Sequence, residues 1–561
     1  MNVLFPVIAS FIAMFLGYRF YSNYLAKHVF RLDDANITPA VSMQDGMDYV
    51  PTRKSVVFSH HFASIAGLSP IVGPAIAVIW GWLPAVIWLV VGAVAMGAVH
   101  DFSALVVSIR HQGRSIGDVC EQLISKRARI LFLLIIYIAL ALAMGAFASI
   151  VANLLQAHSD TFQTYPEASL PAILLIGVAV VFGVLMRKNI IGLLPVSIMG
   201  ILLTFLFIWL GTLFPILFSK TTWVYLLLGY ALTASVLPVW LLLQPRDFIN
   251  TLSLYIGLGL LYFCVFFFAP TFSAPAINHG VENLPSMFPL LFVTIACGAV
   301  SGFHSVVSSG TTAKQLEKET DARAVGYGGM IAECCLGLIA VIACCAGVSA
   351  DEWSAHYGQW SQGGLYGSIT FFVIGGANFI SKLGVPQELA ATFVALLIVS
   401  FALTTLDSGT RLLRYNLEEL GATFRIPGMN NRFLSSTLAV VTVWYFATSA
   451  FGANLWILFG TVNQLLAGLG LLAGTVYLLR LKRNIWVTAL PMIFMLAVTL
   501  YAMTLNLQGY IAQGQTDRMI VGGIIMALAV GLILETIYFF YQWCSGNIKI
   551  ENPSEESASK T

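Results

Sequence analysis

The sequence predicts an all-α polytopic membrane protein with about fifteen transmembrane helices, and three observations predict it. The composition is 58% hydrophobic and only 10% charged, against about 45–50% and about 25% in soluble domains. Apolar stretches recur from Val3 to Tyr541, each close to the roughly 20 residues that a helix needs to cross the hydrocarbon. With the N-terminus outside and the C-terminus inside, 25 of the 28 Lys and Arg fall on the inner side, as the positive-inside rule requires.

Taken in order, the spanning segments are 3–21, 58–80, 83–109, 129–155, 170–186, 189–217, 222–244, 247–270, 286–309, 326–349, 387–410, 433–452, 455–480, 485–505 and 518–542. Segment 3–21 has no charged start and no small-residue cleavage site, so it is expected to be a retained extra helix within 1–22 rather than a signal peptide. The run 366–380 is short and contains Gly375-Gly376, which suits a re-entrant or interfacial piece. Counting it as a crossing would invert every later loop against the charge bias. Only Lys220, Lys382 and Arg518 stay outside, and the loops 156–169, 271–285 and 350–364 contain no Lys or Arg. The polar tail 547–561 is expected to be disordered. Six of the eight cysteines lie in apolar segments, where they act as small hydrophobes rather than a disulfide framework.

Two segments carry helix breakers. The stretch "SIAGLSPIVGP" places Gly67, Pro70, Gly73 and Pro74 inside 58–80, and "YALTASVLPVWLLLQPRDF" places Pro238 inside 222–244. Non-helical backbone survives at membrane depth only when buried or lining a polar cavity, and secondary transporters use it to hold substrate and ion. Proline and glycine also simply kink packed spans. The two breaks, however, are five crossings apart, and an odd offset reverses direction, which is the signature of an inverted repeat. The transport core is therefore expected over 58–410, with a first repeat at 58–217 and a second at 222–410, followed by accessory helices at 433–542.

Ionisable residues inside the apolar segments are His60, His61, His100, Asp101, His304, Glu333, Asp407 and Glu535. A charge at the bilayer centre costs about 3 kcal/mol, so each needs a partner or a role. Asp101 and His304 each lie 18 residues down a segment entering from outside, roughly 27 Å, and His61 and Glu333 fall at a similar depth. Imidazoles and carboxylates at one level can store or relay a proton. Asp407 has a structural alternative, pairing with Arg411 one turn on. Ser305 and Ser308, with Ser309, Thr311 and Thr312, can supply oxygen ligands to Na⁺ or bond their own helix backbone. His60 and His61 open their segment at the inner mouth, a place for a gate or a proton exit.

The stretches "HHFASIAGLSPIVGPAIAVIWGWLPAVIW", "GAVHDFSALVVSIRHQGRSIGDV", "CGAVSGFHSVVSSGTTAKQL" and "TTLDSGTRLLRYNLEEL" resemble the carbon starvation protein A (CstA) family from about residue 1 to 540. The resemblance implies a bacterial inner-membrane carrier of peptides or pyruvate, driven by protons. It also implies the amino acid, polyamine and organocation (APC) superfamily, whose five-plus-five inverted-repeat (LeuT-like) core has its first and sixth helices broken. Carried over, the broken helices are 58–80 and 222–244, and the eighth core helix, 286–309, brings Ser305, Ser308 and His304 near the first break.

The expected function is proton-coupled uptake of a small organic carbon source, pyruvate first, with a peptide or amino acid symporter (H⁺ or Na⁺) as the alternative. The substrate would be received by Ser64, Gly67, Leu68, Ser69, Gly73, Ala234, Ser235 and Pro238. Coupling would fall to Asp101, His304, Ser305, Ser308, His61, Asp407 and Glu333. The expected partners are the bilayer, the substrate and the ion, with no cofactor, no metal, no nucleic acid and no enzyme activity. A haem- or metal-binding redox subunit is opposed by the absence of an i, i+4 ligand pair. A channel is opposed by the two offset breaks.

Overall fold

The computed structural model describes residues 1–160, 163–188, 190–281, 284–360, 364–449 and 454–545. The tail expected to be disordered, 547–561, lies outside the described residues. Helices of eight or more residues are numbered in order here. They are α1 (Leu4–Leu16), running on through π turns to Val29, α2 (Lys54–Ile65), α3 (Ser69–Ala77), α4 (Trp82–Arg110), α5 (Ile116–Leu123), α6 (Lys126–Leu155), α7 (Ser169–Arg187) and α8 (Leu193–Leu213). Then come α9 (Lys220–Val236), α10 (Leu243–Phe268), α11 (Met287–Thr294), α12 (Gly302–Gly310), α13 (Gly328–Ala346), α14 (Ala350–Tyr357) and α15 (Gly364–Ser381). The last are α16 (Gln387–Phe424), α17 (Arg432–Thr448), α18 (Asn454–Arg480), α19 (Trp486–Ala512) and α20 (Thr516–Cys544).

Among the described residues, eleven helices are long and apolar enough to cross a membrane, and the pair α2 and α3, bent by 44°, makes a twelfth. The three other expected segments are α9 and α17, each of 17 residues, and 286–309, which is split into α11 and α12. The chain is a multi-pass membrane protein. Burial sorts its helices: the apolar windows of α16 and α18 are 89% and 94% buried, while that of α8 is 28% buried and its other apolar side chains face outward. With lipid as the outer solvent, the buried pair forms the centre of the bundle and α8 its edge.

Contacts define two ends. At the basic end, Arg110 meets Glu319 at 2.6 Å and Tyr477, Lys54 meets Asp321, and Tyr415 meets Asp48. The segment between α1 and α2 is tied across this end, with Val50 and Thr52 bonded to the carbonyls of Lys314 and Gln315 and Asp34 accepting from the Thr320 amide. That amide holds the Asp34 carboxyl below its usual range. At the opposite end, Ser273 meets Val348, and Trp82 stacks on Phe272. The helix α15 is tied to loops on either side: Thr370 donates to the Gln163 carbonyl and Asn378 to that of Gly347.

Pro238 does not break a span. It sits in the connection 237–242, where α9 ends and α10 begins, because a residue preceding proline leaves the helical region. The second interruption inside an apolar span is 295–301 instead.

Candidate functional site

The first break is built by Gly67 and Pro70. A Cβ on Gly67 would lie 2.5 Å from Thr405 Oγ1, so α16 approaches the bare backbone. Thr405 Oγ1 donates to the Ser64 carbonyl at 3.2 Å, taking up an acceptor in the last turn before the interruption. Pro70 falls in the first turn of α3, where its missing N–H is not needed.

The second break is held by two neighbouring amides on α18. Asn463 Oδ1 accepts from the Phe303 amide at 2.8 Å, and its Nδ2 meets Ser301 Oγ at 3.1 Å and Cys297 Sγ at 3.2 Å. Gln464 donates to the Phe292 carbonyl at 2.5 Å. The two breaks face one another: a Cβ on Gly73 would lie 2.5 Å from the Thr294 carbonyl oxygen, and one on Gly298 would lie 3.7 Å from Pro70 Cα.

Beside this junction lies a chain of four fully buried groups. Asp101 accepts from His100 Nδ1 at 2.8 Å on Oδ1 and from His304 Nδ1 at 2.7 Å on Oδ2. His304 Nε2 is 3.1 Å from Glu333 Oε2, off the line of a hydrogen bond, and neither Glu333 oxygen has a donor among the described residues. Because Nδ1 carries the hydrogen given to Asp101, a neutral His304 would turn a bare Nε2 toward a carboxylate. Two acceptors at that distance call for one proton between them, on the imidazole or on the acid. The arrangement can therefore hold one proton between the imidazole and the acid.

A second buried network lies toward the basic end. His60 Nδ1 meets Asp247 Oδ2 at 2.7 Å. Arg246, next in the chain, pairs with Asp407, and Tyr230 donates to Asp407 Oδ2 at 2.7 Å. Arg246 Nη1 also donates to the Tyr230 hydroxyl. The alternative partner weighed for Asp407 is engaged elsewhere: Arg411 donates to the carbonyls of Ala234, at 2.7 Å, and Leu237. Ser408 Oγ bridges to Ser64 Oγ at 3.3 Å, linking this network to the first break.

The remaining expected site residues separate. Leu68 and Ser69 are buried at the first break, and Ser69 Oγ has no hydrogen-bond partner among the described residues. Ala234, Ser235 and Pro238 belong to the end of α9 and its connection rather than to a second break, and Ser235 Oγ bonds its own helix at Leu232. Ser305 and Ser309 also bond their own helix, at 2.8 and 2.7 Å, whereas Ser308 Oγ is buried without a partner among the described residues. His61 stands apart from the proton chain, on Thr312 at 2.9 Å. Sequence reasoning missed Arg246, Asp247 and Tyr230 as a network, and Asn463 as the clamp. Asn463-Gln464 inside an apolar run was the available signal for the clamp.

The sequence matches the family described as carbon starvation protein CstA over residues 2–355 and 348–502. The chain belongs to the CstA family. It is 35% identical to the peptide transporter CstA of Helicobacter pylori (strain J99), over 89% of this chain and 81% of that one. It is 34% identical to the Escherichia coli K12 peptide transporter CstA, over 89% and 80%. With the E. coli K12 pyruvate/proton symporter BtsT it shares 31%, over 90% and 82%. In fold it resembles the Eremococcus coleocola manganese transporter, with a TM-score of 0.52 and 11% identity over 90% of this chain and 99% of that one. These CstA-family relatives make this chain a transporter.

Proposed function

We propose that this chain is a proton-coupled importer of a small organic carboxylate, pyruvate first, held between the facing breaks at 66–68 and 295–301. The observation that carries the proposal is the close approach of His304, one turn beyond the second break, to Glu333 on one side and Asp101 on the other. A proton loaded there changes the charge beside the interrupted backbone, and so links protonation to what that backbone holds. The helices α3 and α12 both begin at the breaks, and the positive end of a helix N-terminus is suited to a substrate carboxylate. The pyruvate/proton symporter among the relatives supports both the substrate class and the ion. A second reading, short peptides, is favoured by the closer relatives, which are peptide transporters.

The proposed orientation is N-terminus out and C-terminus in, in the bacterial inner membrane, with α15 lying across the outer face. The interrupted spans are then α2–α3 and α11–α12, the first and eighth helices of the proposed core, rather than the first and sixth. Proteoliposomes in sodium-free buffer test the function: a pH gradient should drive saturable accumulation of pyruvate, alanine or dialanine, and Asp101→Asn should abolish it. Absence of gradient-driven uptake of all three by the native chain would sink the proposal.

A further inference from the structure

We propose that Arg246 is an inner docking station for the substrate's carboxylate, which displaces Asp407 from the guanidinium while Asp407 takes up a proton. The inference rests on the transport reading above and adds to it the cation that recognises the anion.

Arg246 is 2% exposed, yet its Nε and Nη2 have no hydrogen-bond partner among the described residues. Nη2 lies 3.9 Å from Asp247 Oδ1, which has no hydrogen-bond partner among the described residues either. Buried donors are normally satisfied, and a guanidinium always keeps its charge. Its open edge, Nε with Nη2, is the fork that takes a carboxylate through two parallel hydrogen bonds. Only Nη1 is occupied, by Asp407 and Tyr230.

The groups facing Asp407 are Arg246 and Asp247 from α10, Tyr230 from α9, and Arg411 on its own helix, with His60 of α2 reaching it through Asp247. An incoming carboxylate adds one negative charge to this set. One proton moving onto Asp407 removes one, and the site's charge is unchanged. Anion and proton therefore enter together, and neither is stable there alone, because an unbalanced charge at this depth is expensive.

Position supports the assignment. Ser408, next to Asp407, touches Ser64 in the last turn before the first break, so a substrate leaving the breaks toward the basic end meets Arg246 next. Beyond it, a cavity of about 150 Å³ lined by Val56, Arg187, Gln244, Pro245 and Phe248 flanks the first turns of α2 and α10. It is smaller than the roughly 300–1,000 Å³ of pockets for drug-sized ligands and suits an acid of a few heavy atoms.

The test uses pyruvate as probe, with pyruvamide as the neutral control, on purified full-length protein in detergent and in proteoliposomes. Native protein should bind pyruvate up to tenfold more tightly per unit fall in pH, and should ignore pyruvamide. Asp407→Asn should bind pyruvate with no such pH dependence, and exchange it without accumulating it. The charge-balanced pair Arg246→Gln with Asp407→Asn should stay folded and lose at least tenfold in pyruvate binding and exchange. Should the pair fail to fold, Arg246→Lys keeps the charge without the fork and should show the same loss. Native-like pyruvate exchange in the folded double variant or in Arg246→Lys would overturn the docking station while leaving transport intact. A native pH slope in Asp407→Asn would overturn the proton exchange. No binding or uptake of pyruvate, alanine or dialanine by the native chain would overturn the transport reading as well.

Discussion

The two buried networks are built from the same acids and imidazoles but differ in one component. The chain from His100 to Glu333 contains no permanent cation, so its charge is set by how many protons it holds. The network from His60 to Asp407 contains Arg246, whose charge is fixed, so an anion finds a permanent partner there. The first is suited to exchanging protons and the second to recognising an anion. The difference teaches that burying titratable groups does not by itself define a proton site: the neighbouring cation decides which partner is exchanged.

The largest effect is expected where one carboxylate serves two imidazoles. Asp101→Ala leaves the ring N–H groups of His100 and His304 without their acceptor, and removing one partner of a buried pair costs about 3–5 kcal/mol. Thermal unfolding in detergent should show that loss, and gradient-driven uptake should vanish. Retained accumulation in this variant would reduce the first network to a structural tie and collapse the contrast with the second.

Glu333→Gln is gentler on stability and sharper on function. Neither Glu333 oxygen has a donor to lose, so unfolding should shift by about 1 kcal/mol or less. The proton seat opposite His304 is gone, so accumulation in a pH gradient should fall at least tenfold while exchange of internal for external substrate persists. If exchange were lost equally, Glu333 would be binding substrate rather than a proton.

The legibility of the two networks followed from chemistry. Asp101, His304 and Glu333 stood out because each interrupts a long apolar run, which membrane energetics makes conspicuous. Arg246 and Asp247 sit at the edge of one, after Pro245, where charges normally mark the inner surface. Only the packing of the first turns of α10 against α2, α9 and α16 buries them, and no local pattern encodes that. The first break was legible through Gly67 and Pro70, and the family was legible in four long motifs. The second break was misplaced because "IACGAVS" contains no proline. Its non-helical backbone is stabilised by Asn463 and Gln464, more than 150 residues downstream, whereas Pro238 signalled only where a helix stops. The apolar run 366–380 was read as non-crossing from its length, its Gly375-Gly376 pair and the loop charges, and in α15 Thr370 bonds the Gln163 carbonyl and Asn378 that of Gly347.

Tyr230→Phe probes the second network lightly. It removes the hydroxyl that donates to Asp407 and accepts from Arg246, worth about 1 kcal/mol, or several-fold in affinity. Pyruvate binding should weaken by that factor with the pH dependence of uptake unchanged. A shifted pH profile would mean that the two networks titrate as one.

Ser408→Ala carries the smallest expected effect and decides how the networks are joined. Its hydroxyl lies 3.3 Å from Ser64 Oγ and 3.4 Å from Asp407 Oδ1, both long for hydroxyl hydrogen bonds. Its removal should cost about 0.5 kcal/mol, too little to change binding measurably. What it does remove is the only side-chain link among the described residues between Asp407 and the last turn of α2. If that link times the hand-over from the first break to Arg246, the rate of pyruvate exchange should fall several-fold at unchanged equilibrium binding. If exchange keeps its native rate, the break and the inner network act through backbone packing of α2 on α16, where Thr405 already holds the Ser64 carbonyl. The proton chain on α12 should be indifferent to either outcome, because no hydrogen bond or ion pair among the described residues joins it to Ser408.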